Sequence, residues 1–128
     1  MKLVLDAGGV TALSQQRARL AELLARGLWP AQVPSVVLAE TLTGDHRRDF
    51  HTNRLLRACQ VRDVTEPHAR EAGRLGTATG RAGSISAVDA VVVAVAAEHR
   101  EAAVVTSDPK DLRALAACAG SPVLVIPV

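Results

Sequence analysis

The stretch 103–115, AVVTSDPKDLRAL, contains a short apolar segment, a polar turn and the beginning of a helix. Residues 103–106 carry no charge and include two valines, which is typical of a strand buried on both faces. Asp108 and Pro109 then suit the cap and the first turn of a helix, because Asp accepts hydrogen bonds from free backbone N–H groups and Pro has none to leave unpaired. This strand–turn–helix unit indicates an alternating α/β fold.

The same alternation continues through the rest of the chain. Short apolar runs predict further strands at 2–5, 31–33, 61–64 and 123–126. Apolar spacing, capping residues and Gly or Pro stop signals predict helices at 10–26, 35–43, 47–58, 66 to between 76 and 80, 87–99 and 108–117. Since strands separated by helices pair in parallel through right-handed crossovers, we expect a parallel sheet covered on both faces, in a single domain of residues 1–128.

The composition excludes several classes of protein. Of the 128 residues, 48% are apolar, which is enough for a core, but the longest apolar run, 90–97, is too short to cross a membrane. No signal peptide is visible, so we expect a cytoplasmic protein. Cys59 and Cys118 form no C-x-x-C pair and are interpreted as buried thiols. The histidines show no zinc-ligand spacing; they are His46, His51, His68 and His99.

The net charge of +2 comes from fifteen basic and thirteen acidic residues. If four acids lie together in one pocket, nine acids and fifteen bases remain, a charge of +6 on the rest of the surface. A basic exterior around an acidic pocket suits a polyanionic substrate. Thirteen of the basic residues are Arg, which is explained equally well by phosphate binding and by a genome rich in G and C.

Two acids follow strands of the predicted sheet. Asp6 comes directly after the strand 2–5, and Asp108 lies two residues beyond the strand 103–106. Ligands of open α/β sheets bind outside the carboxyl ends of the strands, so both residues are candidates for a site. Both also have a structural alternative as helix caps. Asp111 is better explained as an acid in the first turn of a helix than as a ligand.

Two more acids occur in apolar surroundings. Glu40 lies among Val and Leu residues, where a carboxylate needs a partner unless it is on the wet edge of its helix. Asp89 opens a strongly apolar helix, and Ser86 and Asp89 together have the spacing of a capping box. The alternative is that the buried helix directs the Asp89 carboxylate at a ligand beyond its N-terminus.

The four acids Asp6, Glu40, Asp89 and Asp108 together suit a metal site. Mg²⁺ and Mn²⁺ prefer carboxylate and water oxygens. Clustered carboxylates repel one another unless a cation compensates. One or two such ions activate water and stabilise charge on phosphate oxygens. No Ser–His or Cys–His pair indicates a competing nucleophile.

These residues, in their sequence contexts, resemble the PIN domain, and more narrowly the VapC toxins of bacterial type II toxin–antitoxin systems. The resemblance covers essentially the whole chain, and its most specific part is the motif around Thr106 and Asp108. It implies a PIN-like three-layer sandwich with a five-stranded parallel sheet in the order 3-2-1-4-5. The contexts that carry it are Leu5-Asp6, Ala39-Glu40, Ala87-Val88-Asp89-Ala90 and Thr106-Ser107-Asp108.

The resemblance also implies an activity and partners. The activity is Mg²⁺- or Mn²⁺-dependent cleavage of RNA, with Asp6 and Asp89 as the first metal ligands and Glu40 and Asp108 completing the pocket. The partners are a homodimeric second copy and a cognate VapB-type antitoxin, whose C-terminal segment covers the groove and whose Arg or Lys neutralises the acids. Candidate RNA contacts are the arginines Arg47, Arg48, Arg54, Arg57 and Arg81, each of which is also explained by an ordinary solvated surface.

The sequence departs from the family pattern after the first acid. Many members have Thr or Ser there, whereas this chain has Ala7-Gly8-Gly9. A hydroxyl that orients Asp6 or a water is therefore missing, and the glycines are expected to loosen the start of the helix. This departure keeps an alternative open, a catalytically weak PIN-like module that binds RNA or protein.

Two other classes with parallel sheets fit less well. A phospho-acceptor receiver domain needs an acidic pair near the first strand and a Lys after the last, and neither Lys2 nor Lys110 is in that place. A haloacid dehalogenase-type phosphatase needs an Asp where Gly8 stands.

Overall fold

The centre of the molecule is a five-stranded sheet in which every pairing is parallel and the order is β3-β2-β1-β4-β5. The computed structural model describes all residues from 1 to 128. The strands are β1 (Lys2–Leu5), β2 (Gln32–Pro34), β3 (Gln60–Arg62), β4 (Ala102–Thr106) and β5 (Val123–Pro127). The predicted parallel sheet and its order are confirmed.

Seven α-helices connect these strands. They are α1 (Ala7–Gln15), α2 (Arg17–Ala25), α3 (Leu38–Thr41), α4 (Phe50–Ala58), α5 (Glu66–Ala78), α6 (Ala87–Ala97) and α7 (Pro109–Ala116), with a 3₁₀ turn (Ser35–Val37) before α3. None of them has the length and apolar character needed to cross a lipid bilayer. The caps predicted for α5 and α6 are present, because the hydroxyls of Thr65 and Ser86 accept hydrogen bonds from the first turns.

The single helix predicted at 10–26 is wrong, because two helices occupy this region. Gln16 has φ −107° and ψ 83°, which is outside the helical range and ends α1 before α2 begins. The two helices still continue in nearly the same apolar pattern, with Leu13 and Leu23 both buried in the core. The apolar spacing predicts helical structure on both sides of Gln16, but nothing in that spacing indicates the break.

The segment predicted as a helix at 35–43 is also divided. Ser35 does not cap it, since the Ser35 Oγ accepts a hydrogen bond from the backbone of Val64 at 3.3 Å. The chain makes a 3₁₀ turn and then the short α3, which holds Glu40. The next helix begins at Phe50 rather than 47, because the preceding residues form a turn held by Asp49.

Asp49 fixes the connection that follows α3. Its buried carboxylate accepts hydrogen bonds from the backbone and hydroxyl of Thr43 and from the backbone of Gly44. Gly44 has φ +85°, a conformation that glycine adopts without strain. The loop that carries the chain away from Glu40 is therefore held in one shape.

The core is formed by the central strands and by α6. Leu3, Val4 and Leu5 of β1 are fully buried, and so is every residue of β4. Helix α6 is buried over most of its surface, as its apolar sequence indicates. Because β1 and β4 pair in register from Lys2↔Ala102 to Leu5↔Val105, their carboxyl ends lie side by side in the middle of the sheet.

Candidate functional site

The carboxyl ends of β1 and β4 and the N-terminus of α6 bring acidic side chains together. Asp6 follows β1, Asp108 follows β4 by two residues, Asp89 is in the first turn of α6, and Glu40 is on α3. The negative charges of Glu40 and Asp108 help to raise the pKa of Asp6, and those of Asp6, Glu40 and Asp108 help to raise the pKa of Asp89. The four acids that the sequence singled out therefore share one electrostatic environment.

Asp6 is buried and caps α1, with its carboxylate accepting a hydrogen bond from the Gly9 N–H at 2.7 Å. Burial raises the pKa of Asp6 above its ordinary value, and neighbouring acids add to the rise. The Thr106 hydroxyl and the Gly9 N–H act in the opposite direction, because both hydrogen-bond the charged form. The cap considered as an alternative role for Asp6 is thus present, and it fixes the carboxylate at the sheet edge.

Gly8 and Gly9 allow α1 to begin directly against β4. A Cβ at Gly9 would lie 2.3 Å from the Val105 carbonyl oxygen, and one at Gly8 would lie 2.0 Å from the Ser107 Oγ and 2.9 Å from the Ser107 backbone nitrogen. Any larger residue would push the helix away from the strand. The Ala-Gly-Gly sequence therefore accompanies close packing at this point, rather than the loosened helix start that the sequence suggests.

The hydroxyl that is absent after Asp6 has a counterpart on the neighbouring strand. Thr106, at the end of β4, is fully buried, and its hydroxyl lowers the pKa of Asp6 by hydrogen bonding. The same Oγ1 accepts a hydrogen bond from the Asp108 N–H at 3.0 Å. Thr106 thus acts on two of the four acids, a role that sequence reasoning did not assign to it.

The Asp89 carboxylate is not engaged in capping. The Ser86 Oγ accepts hydrogen bonds from the N–H groups of Val88 and Asp89, at 3.1 and 3.4 Å, but the Asp89 side chain makes no return bond. Only half of the expected capping box is formed. Burial, followed by the charges of Asp6 and Glu40, raises the pKa of Asp89 to about 6.

Glu40 and Asp108 are the exposed members of the group. Glu40 is exposed on α3, as its alternative interpretation predicted, but its negative charge still helps to raise the pKa values of Asp6 and Asp89. Asp108 occupies the N-cap position of α7 but its side chain makes no capping hydrogen bond, so the predicted cap is wrong. The physical reason is the backbone of Asp108, whose φ of −128° and ψ of 82° differ from the extended conformation in which Asp6 caps α1.

A fifth acid, Asp111, also belongs to this environment. Its charge raises the pKa of Asp89, and its carboxylate forms an ion pair with Arg81 at 2.7 Å. Its position in the first turn of α7, three residues after Asp108, is the sequence signal that could have placed Asp111 near the group. Among the arginines considered for RNA binding, Arg81 lies beside this group, whereas Arg47, Arg48, Arg54 and Arg57 belong to α4 and the turn before it.

The donor set fits a hard divalent cation in its chemistry. It consists of carboxylates only, and their mutual repulsion is the kind that a bound cation relieves. No group of three or more His, Cys, Asp and Glu side chains lies in an arrangement that could itself hold a metal ion.

The largest cavity lies elsewhere. It has a volume of about 920 Å³ and is lined by residues that precede strands, among them Trp29, His99, Arg100 and Pro122. It contains none of the four acids and is at the opposite end of the sheet from them. A deep cavity is not needed at the carboxylates if the ligand is a polymer that lies across the surface.

Comparisons with known proteins agree with this fold. The sequence model of the PIN domain matches residues 9–117. No curated protein sequence matches the chain significantly.

Solved structures match over nearly the full chain. A DNA-bound VapBC from Salmonella typhimurium has a TM-score of 0.76 at 16% identity, covering 98% of both chains. VapBC-1 from nontypeable Haemophilus influenzae has a TM-score of 0.73 at 15% identity, covering 99% of this chain and 98% of the other. VapBC-5 from Mycobacterium tuberculosis, described as a member of the VapBC family of toxin–antitoxin systems, has a TM-score of 0.62 at 22% identity with the same coverage. At these identities the similarity establishes the shared fold.

Proposed function

The chain belongs to the PIN domain family, and from this premise we propose that it is a metal-dependent endoribonuclease, the toxin of a VapC-type toxin–antitoxin pair. The observation that carries the proposal is the group of carboxylates at the carboxyl ends of β1 and β4, where burial and the charges of neighbouring acids raise the pKa values of Asp6 and Asp89. An acidic group of this kind is unfavourable for folding and is explained by a cation that it binds.

Asp6 and Asp89 are proposed as the principal ligands, with Glu40 and Asp108 supporting them. Mg²⁺ or Mn²⁺, when bound there, supplies an activated water and stabilises the negative charge of the scissile phosphate. Asp6 contributes a carboxylate fixed by the Gly9 N–H, and Asp89 contributes one without a competing hydrogen bond. The exposed Glu40 and Asp108 are accessible from solvent, which suits residues that meet a large substrate.

A VapB-type antitoxin is the proposed partner, and a homodimer is the proposed state of the toxin. The matched structures from Salmonella and Haemophilus are VapBC complexes, which supports the expectation of such an antitoxin. The electrostatics also support an antitoxin, because a positive Arg or Lys side chain in the site would favour the charged forms of Asp6 and Asp89 and so lower their raised pKa values.

The decisive experiment is cleavage of total RNA by purified, antitoxin-free protein in Mg²⁺ or Mn²⁺, with and without EDTA. We expect metal-dependent cleavage that Asp6→Asn and Asp89→Asn abolish. The matched control is Asp63→Asn, which removes an exposed acid that has no hydrogen bond or ion pair. Equal cleavage by all variants would refute the assignment of the site.

The alternative function, a PIN-like module that binds RNA or protein without cutting RNA, predicts a different result. It would be supported if the protein cleaved no RNA in any divalent metal while it still bound RNA or an antitoxin. The close packing at Gly8 and Gly9 removes one reason for expecting weak activity, because the start of α1 is held against β4.

A further inference from the structure

We propose that Arg81 binds a phosphate of the RNA strand beside the carboxylates, and that Asp111 positions Arg81 for this role. The inference rests on the proposed function and adds a substrate-binding residue to it. It begins from the ion pair between the Arg81 Nη2 and the Asp111 Oδ1, at 2.7 Å, which joins the loop before α6 to helix α7.

The loop that carries Arg81 is shaped by hydrogen bonds that do not involve the guanidinium group. The Arg81 N–H donates to the Thr79 Oγ1 at 3.1 Å, and the Arg81 carbonyl accepts from the N–H groups of Ser84 and Ile85. Gly80, with φ +70°, makes the turn that precedes it. Since the backbone holds the loop by itself, the Arg81 side chain is available for another task.

The guanidinium group retains most of its donors. Arg carries five N–H donors in a planar fork that matches phosphate, and Asp111 is the only acceptor within hydrogen-bond distance of the Arg81 side chain. The Arg81 side chain is 39% exposed, against 23% for that of Asp111, so Arg81 is the more accessible member of the pair. The pair therefore presents a cation that is already ordered.

Arg81 lies at the border of the acidic group rather than inside it. The Arg81 guanidinium contacts only Asp111 and makes no hydrogen bond or ion pair with Asp6, Glu40, Asp89 or Asp108. A guanidinium bound to those four acids would compete with a metal ion for the same carboxylate oxygens. Because Arg81 is bound to Asp111 instead, it leaves the oxygens of the four acids free for a cation and is placed to bind a phosphate of a strand that lies across them.

Two other paired arginines do not have this placement. Arg62 is bound to Glu98 together with His68, in a network on the other half of α6. Arg70 pairs with Glu66 near the start of α5, and the end of α5, not its start, leads to the loop of Arg81. Arg70 is therefore a matched control: an Arg in an exposed ion pair, on the helix that leads to Arg81, remote from the acids.

The test compares wild type with Arg81→Gln, Arg81→Lys and the control Arg70→Gln. Cleavage of a labelled single-stranded RNA oligonucleotide in Mn²⁺ gives kcat and KM, and fluorescence anisotropy of the same RNA in EDTA gives binding without cleavage. We expect Arg81→Gln to raise KM and Kd by about tenfold to a hundredfold with kcat within about twofold, as for the loss of a charged hydrogen bond to the substrate. The dependence of log Kd on log salt should weaken by about one phosphate contact.

Arg81→Lys should recover part of the affinity, because it keeps the charge but loses the planar fork, and Arg70→Gln should change nothing. The double variant Arg81→Asp with Asp111→Arg tests whether Arg81 binds RNA or only holds its loop to α7. It should restore the ion pair and the melting temperature while KM stays high. Recovery of KM by the swap, an unchanged KM and Kd in Arg81→Gln, or a fall in kcat alone would each overturn the inference.

The two proposals fail in different ways. Wild type that cleaves RNA while Arg81→Gln behaves identically overturns the role of Arg81 and leaves the nuclease proposal intact. Wild type that binds RNA but cleaves none overturns the nuclease proposal, and the anisotropy measurements still support or overturn the role of Arg81. Wild type that neither binds nor cleaves RNA overturns both.

Discussion

Gly9→Ala should destabilise the protein, although alanine favours helices. Gly9 is in the first turn of α1, and an added Cβ would lie 2.3 Å from the Val105 carbonyl oxygen and 3.0 Å from its carbon. An ordinary contact begins near 3.4 Å, so the helix and β4 have to separate by about 1 Å. Both atoms belong to a buried strand backbone, which cannot rotate away as a side chain can.

The magnitude follows from two opposing effects. Overpacking of this kind costs about 1–3 kcal/mol. The gain in helix propensity from Gly to Ala is at most about 1 kcal/mol. We therefore expect a net loss of about 1–2 kcal/mol, or roughly 3–10 °C in Tm for a chain of this size. Since the Gly9 N–H also holds the Asp6 carboxylate, metal-dependent RNA cleavage should fall with the stability.

The matched control is Gly73→Ala, in the interior of α5, where an added Cβ meets nothing within 4 Å. There the propensity effect acts alone, and we expect a gain of about 0.5–1 kcal/mol. Chemical denaturation monitored by circular dichroism gives both values. The reasoning is refuted if Gly9→Ala is as stable as wild type or is stabilised like Gly73→Ala.

Three further predictions concern charged and hydroxyl groups. The pKa of Asp89, about 6, lies above the ordinary 3.8, so the metal-free protein should become more stable as the pH falls from about 6 towards 3.8. Asp89→Asn should remove this pH dependence in urea titrations, and it should also remove the rise in Tm that Mn²⁺ causes in wild type. Burial opposes the lowering of the pKa of Glu98, but hydrogen bonds from His68 and Arg62 outweigh it. Glu98→Gln should therefore lower the free energy of unfolding by about 1 kcal/mol at pH 7. This loss should disappear as the pH falls below 4.5 through the folded pKa, which unfolding at several pH values will show. Thr106→Val should raise the pKa of Asp6 further and shift the acid limb of the pH–rate profile to higher pH. An unchanged profile would contradict the effect of the Thr106 hydroxyl on Asp6.

The order of elements was predictable because it depends on local patterns. Strand β1 is found where the apolar run predicts it, and α5 and α6 begin directly after their predicted caps Thr65 and Ser86. The break at Gln16 was not predictable, because no Gly or Pro marks it and the apolar spacing continues past it.

The placement of the four acids was predictable from strand ends, but their individual contacts were not. Asp6 and Asp108 both follow a strand and precede a helix, yet the side chain of Asp6 caps and that of Asp108 does not. The difference follows the backbone, because Asp6 is extended, with ψ −175°, whereas Asp108 has ψ 82°. Likewise, the pair of Arg81 and Asp111 joins residues thirty positions apart and exists only because the loop before α6 lies against α7.

The five acids differ in how the protein compensates their charges, and this difference identifies where a cation has most effect. Asp6 has the Gly9 N–H and the Thr106 hydroxyl, and Asp111 has Arg81. Glu40 and Asp108 are exposed, so water solvates them. Asp89 alone is half-buried without a hydrogen bond or ion pair on its carboxylate, and it has the pKa of about 6. A metal ion or an antitoxin Arg therefore gains most from contact with Asp89, and each should bind more weakly as the pH falls below 6, because Asp89 then takes up a proton instead.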